Sequence, residues 1–269
     1  LFQFDGKNSS YLISYFIRSN IKSTICFVKY KKIFGIGYLI SRPAKLLLKI
    51  FFNNYIICDE RYSSKDKIIK PVHYQTNYFD ILKKLNFKIT NQRGLFYLEN
   101  KYEIFYKNFF RNFINNNFYL FHFDEKWDNY KDSDFKNSLK IINKFSKKNK
   151  VIITTGLKKF RFLADIEKKF NVFSFKNDVF NQEISSNTNN VVVLKNIPLN
   201  LLAYFIKNSE VNYNSHSGSI VHISVAFDKK IVDLIPKHKN DELDRWVPAL
   251  AKYKRINFED INDELIKII

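Results

Sequence analysis

The chain has 269 residues, of which 45% are hydrophobic and 17% aromatic, enough apolar material for one large domain or two of ordinary size. Lysine and arginine outnumber aspartate and glutamate by 45 to 26, a formal charge of +19, which favours anionic partners. The basic residues are spread along the chain without an arginine-rich block, so a dedicated nucleic-acid-binding protein is disfavoured. No apolar run approaches the roughly 20 residues of a membrane-spanning helix, and the opening stretch lacks the features of a signal peptide.

The first half predicts a mixture of strands and helices. Strand-like runs occupy 1–5, 23–29 and 54–60, and helices are expected over 9–19 and 75–86. Two of these runs hold Cys26 and Cys58, the only cysteines of the chain. Neither has a metal-ligand spacing, so we expect buried thiols in a reducing compartment and no metal site.

The segment between the two halves, ENKYEIFYKNFFRNFINNN (99–117), is aromatic and polar without a clean period. We place a domain junction there, which predicts one domain over 1–112 and a second over 113–269. The second half has the clearer pattern, because apolar runs at 118–123, 150–156, 191–195 and 210–214 alternate with helical stretches, and a terminal helix is expected near 258–268. Such alternation predicts βαβ units and a parallel sheet covered by helices on both faces.

Residues 118–269 contain two glycines, Gly156 and Gly218, and each is predicted to follow a strand and open a helix. The start of a helix presents unpaired N–H groups and a positive dipole end, which together bind anions. Either glycine alone is explained equally by a tight turn. Two of them at the carboxyl ends of strands in one parallel sheet favour a nucleotide-type crevice.

Polar residues are dense around Gly218. Serines 215, 217 and 219 offer hydroxyls, and His222 lies about one helical turn beyond the glycine, from where its ring can reach a phosphate at the helix start. The alternative for His222 is a structural histidine packed among its apolar neighbours.

The sequence motifs that identify several enzyme classes are absent from this chain. The chain has no GxSxG elbow, no GxxxxGK[ST] loop, no GxGxxG turn and no HExxH pair. Serine hydrolases, P-loop kinases and ATPases, Rossmann dehydrogenases and zinc proteases are therefore disfavoured.

Four phrases of the second half resemble, in the same order, the C-terminal domain of glycosyltransferase family nine, the lipopolysaccharide heptosyltransferase-like enzymes. They are FHFDEKW (121–127), VIITTG (151–156), IPLNLLAYFIKNSEV (197–211) and HSGSIVHISVAFDKKIVDLI (216–235). The stretch at 1–27 is similar to the middle of that family's N-terminal domain. The resemblance therefore implies that the family's opening segment, with its expected general base, lies before residue 1.

The resemblance implies an α/β fold of the GT-B type, with two Rossmann-like domains whose parallel sheets face each other across a cleft, the N-terminal one incomplete. It implies inverting, metal-independent sugar transfer, without a cofactor, from a nucleotide sugar to a saccharide or lipid-linked acceptor of the cell envelope. We then expect a cytoplasmic protein with a peripheral contact to anionic membrane lipid and no nucleic-acid partner. The donor-binding residues predicted by this matching and by the two glycine turns are Lys126, Thr154, Thr155, Gly156, Ile197, His216, Ser217, Gly218, Ser219 and His222.

Two positions depart from the family's SGxxH signature. His216 stands where the family carries Asp, and three residues instead of two separate Gly218 from His222. These departures keep open a second interpretation, a degenerate GT-B protein that binds nucleotide or saccharide without transferring a sugar.

Overall fold

The computed structural model describes residues 2–3, 16–33, 36–42, 45–59, 74–89, 96–110, 117–176, 179–180, 190–215, 218–240, 243, 246–248 and 250–262, some of them by backbone alone. The chain packs as two compact units, one formed by 1–92 with 241–249 and the other by 93–240 with 250–269. The predicted domains, 1–112 and 113–269, stay a prediction; the interval 93–112 packs with the second unit.

The first unit has a four-stranded mixed sheet. Its strands are β1 (Phe2–Gln3), β2 (Ser23–Ile33), β3 (Ile36–Arg42) and β4 (Asn54–Asp59), and its helices are α1 (Lys45–Phe51) and α2 (Tyr74–Lys84). The long β2 is central: β1 and β4 pair with it in parallel, and β3 folds back on it as an antiparallel hairpin. Cys26 is a buried free thiol beside Leu48 and Phe52, as predicted, and the side chain of Cys58 lies outside the described part.

The second unit holds the remaining elements. Its helices are α3 (Asn100–Phe110), α4 (Asp132–Phe145), α5 (Leu163–Lys169), α6 (Leu199–Asn208) and α7 (Gly218–Ala226). Its strands are β5 (Phe118–Phe123), β6 (Lys150–Thr155), β7 (Asn171–Lys176), β8 (Val179–Phe180), β9 (Val191–Lys195), β10 (Val211–Asn214), β11 (Lys230–Ile235) and β12 (Lys252–Asn257). They form one sheet in the order β12-β11-β10-β5-β6-β9-β7-β8, in which seven strands run parallel and the short β8 is antiparallel to β7.

The central strands are apolar on both faces because helices cover both sides of the sheet. On β5, Phe121 points into a core shared with α4 and α5. Its neighbour Leu120 points to the other face, into a core shared with α3, α6 and α7. Side chains of a strand alternate between faces, so each strand contributes to both cores, and the continuous apolar runs of the sequence reflect that double burial.

The predicted strands at 118–123, 150–156, 191–195 and 210–214 are confirmed, and so are the helices that follow the first and third of them. The sequence missed β12, whose residues KYKRIN include three charged side chains, as is common on an edge strand. It also missed β7 and the helix α3. The terminal helix expected near 258–268 is a short 3-10 turn at Phe258–Asp260, and 263–269 lie outside the described part.

None of the helices that the structure describes is both long enough and apolar enough to cross a membrane.

Candidate functional site

The winding of the large sheet reverses direction between β5 and β10. From β5 the chain adds β6 and then the β9–β7 side, and it returns to the opposite side of β5 to add β10, β11 and β12. In open α/β sheets such a reversal opens a crevice outside the carboxyl ends of the two central strands, because their connections leave in opposite directions. The loops after Phe123 and Asn214 therefore flank the position where a ligand is most readily bound.

The loop after β5 is fixed by a buried aspartate. Asp124 is 7% exposed, and its Oδ1 accepts a hydrogen bond from the backbone N–H of Lys126 at 3.1 Å, which caps the 3-10 turn Glu125–Asn129. Trp127 is buried in the aromatic core beside Phe123. The capped turn thus anchors its indole inward, while the Lys126 side chain is exposed at the carboxyl edge.

The loops after β5 and β10 are joined by two hydrogen bonds. The hydroxyl of Tyr130 donates to the backbone carbonyl of Ser215 at 3.3 Å, and the Ser215 hydroxyl donates to Oδ1 of Asp124 at 3.5 Å. Burial raises the pKa of Tyr130, and the nearby Asp124 charge raises it further. The phenol therefore stays protonated and remains a donor across the ordinary pH range.

The helix α7 begins at the switch point with two exposed residues, Gly218 and Ser219. A Cβ added to Gly218 would meet no atom of the described residues within 4 Å, so on this side the described part of the chain leaves the helix start open. The first N–H groups of a helix have no intrahelical acceptor and carry the positive end of its dipole. The prediction that Gly218 opens a helix after a strand is confirmed, and the site offers donors to an anion.

His222 lies one turn into α7 and its side chain is exposed, whereas Val221 and Ile223 beside it are buried. The alternative of a histidine packed in the core therefore does not hold. Two predicted residues, His216 and Ser217, lie outside the described part of the chain.

The second glycine turn differs from its prediction. Gly156 does not open a helix, because α5 begins only at Leu163. Between them Phe160 and Phe162 are buried, the latter stacked on Phe135 with ring centroids 4.4 Å apart. These aromatic contacts hold 157–162 as a loop, and the Gly156 N–H is occupied by the carbonyl of Phe123 at 3.3 Å.

The remaining predicted residues lie inside the protein. Thr154 and Thr155 are 0% and 1% exposed and, as neighbours on β6, point to opposite faces of the sheet. Ile197, after β9, is 4% exposed. The structure thus brings Lys126, Gly218 and Ser219 to exposed positions around the switch point and leaves these three residues buried. Their roles in donor binding stay predictions.

One residue that the sequence did not select lies near the same point. His122 of β5 is 7% exposed, and its Nδ1 lies 3.0 Å from Oγ1 of Thr154. Burial lowers the pKa of His122; the charges of Asp124 and Glu125 oppose this shift, and Lys126 adds to it. The signal was present in FYLFHF, where His122 is the one histidine in a strand whose other residues are phenylalanine, tyrosine and leucine.

A cavity of about 260 Å³ lies further along the same edge, beyond the ends of β11 and β12. It is lined by Asn129, Lys131, Ser133, Asp134, Asn137, Pro236, His238, Phe258, Glu259 and Ile261. None of the predicted donor-binding residues that the structure describes lines it.

No protein-family model matches the chain, and no curated protein matches it significantly. Among solved structures, the crystal structure of the glycosyl transferase family 9 from Veillonella parvula DSM 2008 is similar, with a TM-score of 0.52 at 15% sequence identity. The match covers 98% of this chain and 64% of that chain, so this chain spans less than two thirds of its length. The similarity concerns the fold. Together with the seven-stranded parallel sheet and its helices, it confirms the predicted α/β fold of the GT-B type.

Proposed function

We propose that this chain is a glycosyltransferase that binds a nucleotide-sugar donor at the carboxyl edge of the seven-stranded sheet. The observation that carries the proposal is the exposed start of α7 at the switch point, where Gly218 adjoins open space. The similarity in fold to a family 9 glycosyl transferase supports sugar transfer over other uses of such a crevice. The acceptor that we propose is a saccharide or lipid-linked saccharide of the cell envelope, and the +19 charge would favour contact with anionic lipid.

The chemistry follows from the charge that develops on the leaving group. When the bond between the sugar and the diphosphate breaks, negative charge accumulates on the diphosphate, and donors already aimed at it lower the barrier. We assign the stabilisation of this charge to the first N–H groups of α7, the hydroxyl of Ser219, the ammonium of Lys126 and the imidazole of His222. These groups would stabilise the leaving diphosphate without a metal ion. Inversion requires a base on the acceptor side, to which we assign no residue.

A second candidate function is binding of a nucleotide or saccharide without transfer. It is favoured by the second glycine turn, where the N–H of Gly156 and the hydroxyl of Thr154 are already engaged inside the protein. A site with fewer free donors holds the leaving group less strongly. The two candidates differ in turnover and agree in binding.

The experiment is a thermal-shift screen with ADP-, UDP-, GDP- and CMP-linked sugars, because a ligand that binds the native state raises its melting temperature. A donor that raises it is then incubated with the protein, and release of the nucleoside diphosphate is measured. Gly218→Val, which places two methyl groups in the open space at the helix start, is expected to abolish the shift. Lys136→Val, at an exposed position of α4, is the control and should retain it.

Binding with release of nucleoside diphosphate supports the transferase, and binding without release supports the second candidate. A shift that survives in Gly218→Val would place the ligand elsewhere and overturn the proposed site. A complete absence of shifts with all four donor classes would count against both functions.

A further inference from the structure

Four large apolar side chains are exposed at one edge of the first unit's sheet. Phe16, Ile17, Ile21 and Ile50 are 74%, 42%, 52% and 61% exposed. The first three precede β2, and Ile50 belongs to the last turn of α1, shortly before β4. Because β2 and β4 are parallel and start in register at Ser23 and Asn54, the residues that precede both strands lie at the amino edge of this sheet.

Three hydrogen bonds hold the two segments together. The backbone carbonyl of Lys22 accepts from the backbone N–H groups of Asn53 at 2.9 Å and Asn54 at 3.2 Å. In return, the side-chain Oδ1 of Asn53 accepts from the backbone N–H of Lys22 at 2.8 Å. Ile21 therefore lies beside the end of α1. Apolar side chains exposed singly are ordinary on a protein surface, whereas these come from two segments that are fixed to each other.

The core beneath this edge is formed by other residues of the same segment. Leu48 and Phe52 are 1% and 5% exposed and pack with Cys26 of β2. The segment thus turns apolar side chains both inward and outward, and Ile50 is on the outer side. Removing such a side chain from water is favourable in proportion to its apolar area, so this surface gains free energy when a partner covers it.

The charges of the two segments are all basic. Arg18 and Lys49 are exposed, and Lys22 is partly exposed. The stretches 16–22 and 49–54 contain no aspartate or glutamate. We call these three basic side chains, together with the four exposed apolar ones, the amino-edge surface. Long basic side chains lay their methylene stems along apolar surface and extend the charged end away from it, so the amino-edge surface fits a partner that is apolar inside and negatively charged outside.

An anionic membrane fits this composition better than a protein does. Protein–protein interfaces are depleted of lysine, and their cores are depleted of charged residues in general. A membrane that contains anionic lipid offers acyl chains to isoleucine and phenylalanine, and it offers phosphate groups to lysine and arginine. Both halves of the amino-edge surface are then matched by one partner.

We propose that the amino-edge surface inserts its apolar side chains into the interface of a membrane that contains anionic lipid, while its basic side chains contact the lipid phosphates. The inference deepens the proposed function, because it gives the contact with anionic lipid a defined surface in the first unit. In the proposed function that contact is argued from the net charge of the whole chain. Here it is argued from the exposure, the hydrogen bonds and the charges of two segments.

The test is sedimentation of the protein with two kinds of vesicle, one of phosphatidylcholine and one of equal parts phosphatidylcholine and phosphatidylglycerol. We expect the protein to sediment with the mixed vesicles and to stay in solution with phosphatidylcholine alone, because each basic residue near an anionic surface adds to the attraction. Raised salt should weaken the binding to mixed vesicles and leave part of it, since salt screens charges and does not screen apolar insertion.

Two substitutions separate the apolar part of the contact from the charged part. Ile50→Ser and Lys49→Glu should each weaken the affinity for mixed vesicles about tenfold. The matched controls are Ile104→Ser on α3, where Ile104 is also 61% exposed, and Lys136→Glu at an exposed position of α4. Both controls should bind the mixed vesicles as the unchanged protein does.

Insertion is measured directly with a tryptophan at the proposed surface. In Ile50→Trp, the indole should be quenched by mixed vesicles whose acyl chains are brominated, because quenching requires contact with the chains. In Ile104→Trp, the added indole should stay unquenched. This pair also corrects for the two tryptophans of the natural sequence, which both variants retain.

The outcomes separate this inference from the proposed function. A protein that ignores mixed vesicles, or an Ile50→Ser variant that binds them as tightly as the unchanged protein, overturns the inference and leaves the donor site, measured by thermal shift, untouched. If the unchanged protein dimerises and Ile50→Ser stays monomeric, the surface is an interface between two copies and the lipid assignment is wrong. Vesicle binding that requires Ile50 and Lys49 in a protein that binds no nucleotide sugar supports the inference and counts against the proposed function.

Discussion

The hydroxyl of Tyr130 donates a hydrogen bond to the backbone carbonyl of Ser215 across 3.3 Å, joining two loops 85 residues apart in sequence. Ser215 follows the last residue of β10 and lies three residues before the first residue of α7, whereas Tyr130 ends the capped turn that follows β5. One buried phenol therefore joins the carboxyl end of β10 to the Lys126 loop.

Replacing Tyr130 with Phe should destabilise the fold slightly and disturb ligand binding more. The substitution leaves the buried Ser215 carbonyl without this donor, and we expect a loss of about 1 kcal/mol in the free energy of unfolding, measured by urea denaturation. Because the start of α7 is then less well held, affinity for pyrophosphate should fall severalfold in the same preparation.

A matched control for that substitution is Tyr204→Phe. Its hydroxyl lies within hydrogen-bond distance of a backbone carbonyl, that of Glu99, at 3.3 Å, and of the Glu103 carboxylate at 3.5 Å, and none of these residues belongs to the loops after β5 and β10. It should lower stability by a comparable amount and leave pyrophosphate affinity unchanged. If both variants bind pyrophosphate equally, the Tyr130 contact serves stability alone.

The stability of the second unit should decline in mild acid because of His122. Its pKa is lowered in the folded state, chiefly by burial, with Asp124 and Glu125 opposing and Lys126 adding to the shift. Below the ordinary histidine pKa of about 6.5 the unfolded chain takes up a proton that the folded state does not. The contribution is therefore complete above that pH and is lost as the pH falls towards the depressed folded value.

The measurement is the free energy of unfolding from denaturant titrations between neutral pH and mild acid. His122→Asn removes the titrating group, so its curve should be flatter than that of the unchanged protein over the same interval. Two curves with the same slope would mean that His122 titrates alike in the folded and unfolded states.

The central strands could be predicted because each is apolar on two covered faces, as Leu120 and Phe121 illustrate. The edge strand β12 could not be predicted, because the exposed Lys252 and Lys254 leave it without a continuous apolar run. The sequence predicts that a helix opens at Gly156, whereas the structure has a loop over 157–162 before α5 begins at Leu163. Its conformation is decided by the burial of Phe160 and Phe162 against distant elements, which no local pattern encodes.

The candidate site was predictable only in part, for a similar reason. Gly218 follows an apolar run and opens a helix, and both features are visible in the chain. The pairing of His122 with Thr154 depends on the parallel register of β5 with β6, which the sequence leaves open. A single histidine within a strand rich in phenylalanine is therefore a useful signal that its side chain has a hydrogen-bond partner or a functional role.

Asn196 should resist replacement by alanine. It occupies the turn between β9 and α6 with φ at 60°, in the left-handed region where a Cβ is disfavoured for most residues and asparagine is better tolerated. We expect Asn196→Ala to lower the free energy of unfolding by about 1 kcal/mol and Asn196→Gly to leave it nearly unchanged. Both free energies of unfolding are measured by urea denaturation. An alanine variant as stable as the glycine variant would show that the left-handed φ at position 196 does not strain alanine.

The two glycines at the carboxyl edge should tolerate alanine in the fold. A Cβ at Gly156 or Gly218 would meet nothing within 4 Å in the part of the chain that the structure describes, and neither residue has a left-handed φ. Substitution then restricts the unfolded chain more than it strains the folded one, so Gly156→Ala and Gly218→Ala should each gain about 0.5 kcal/mol of stability. Urea denaturation of both variants measures this, and a loss of 1 kcal/mol or more in either would show a conformational need for glycine. If the gain is found, the fold does not require these glycines, and a fall in pyrophosphate affinity in Gly218→Ala alone would assign that residue to the ligand.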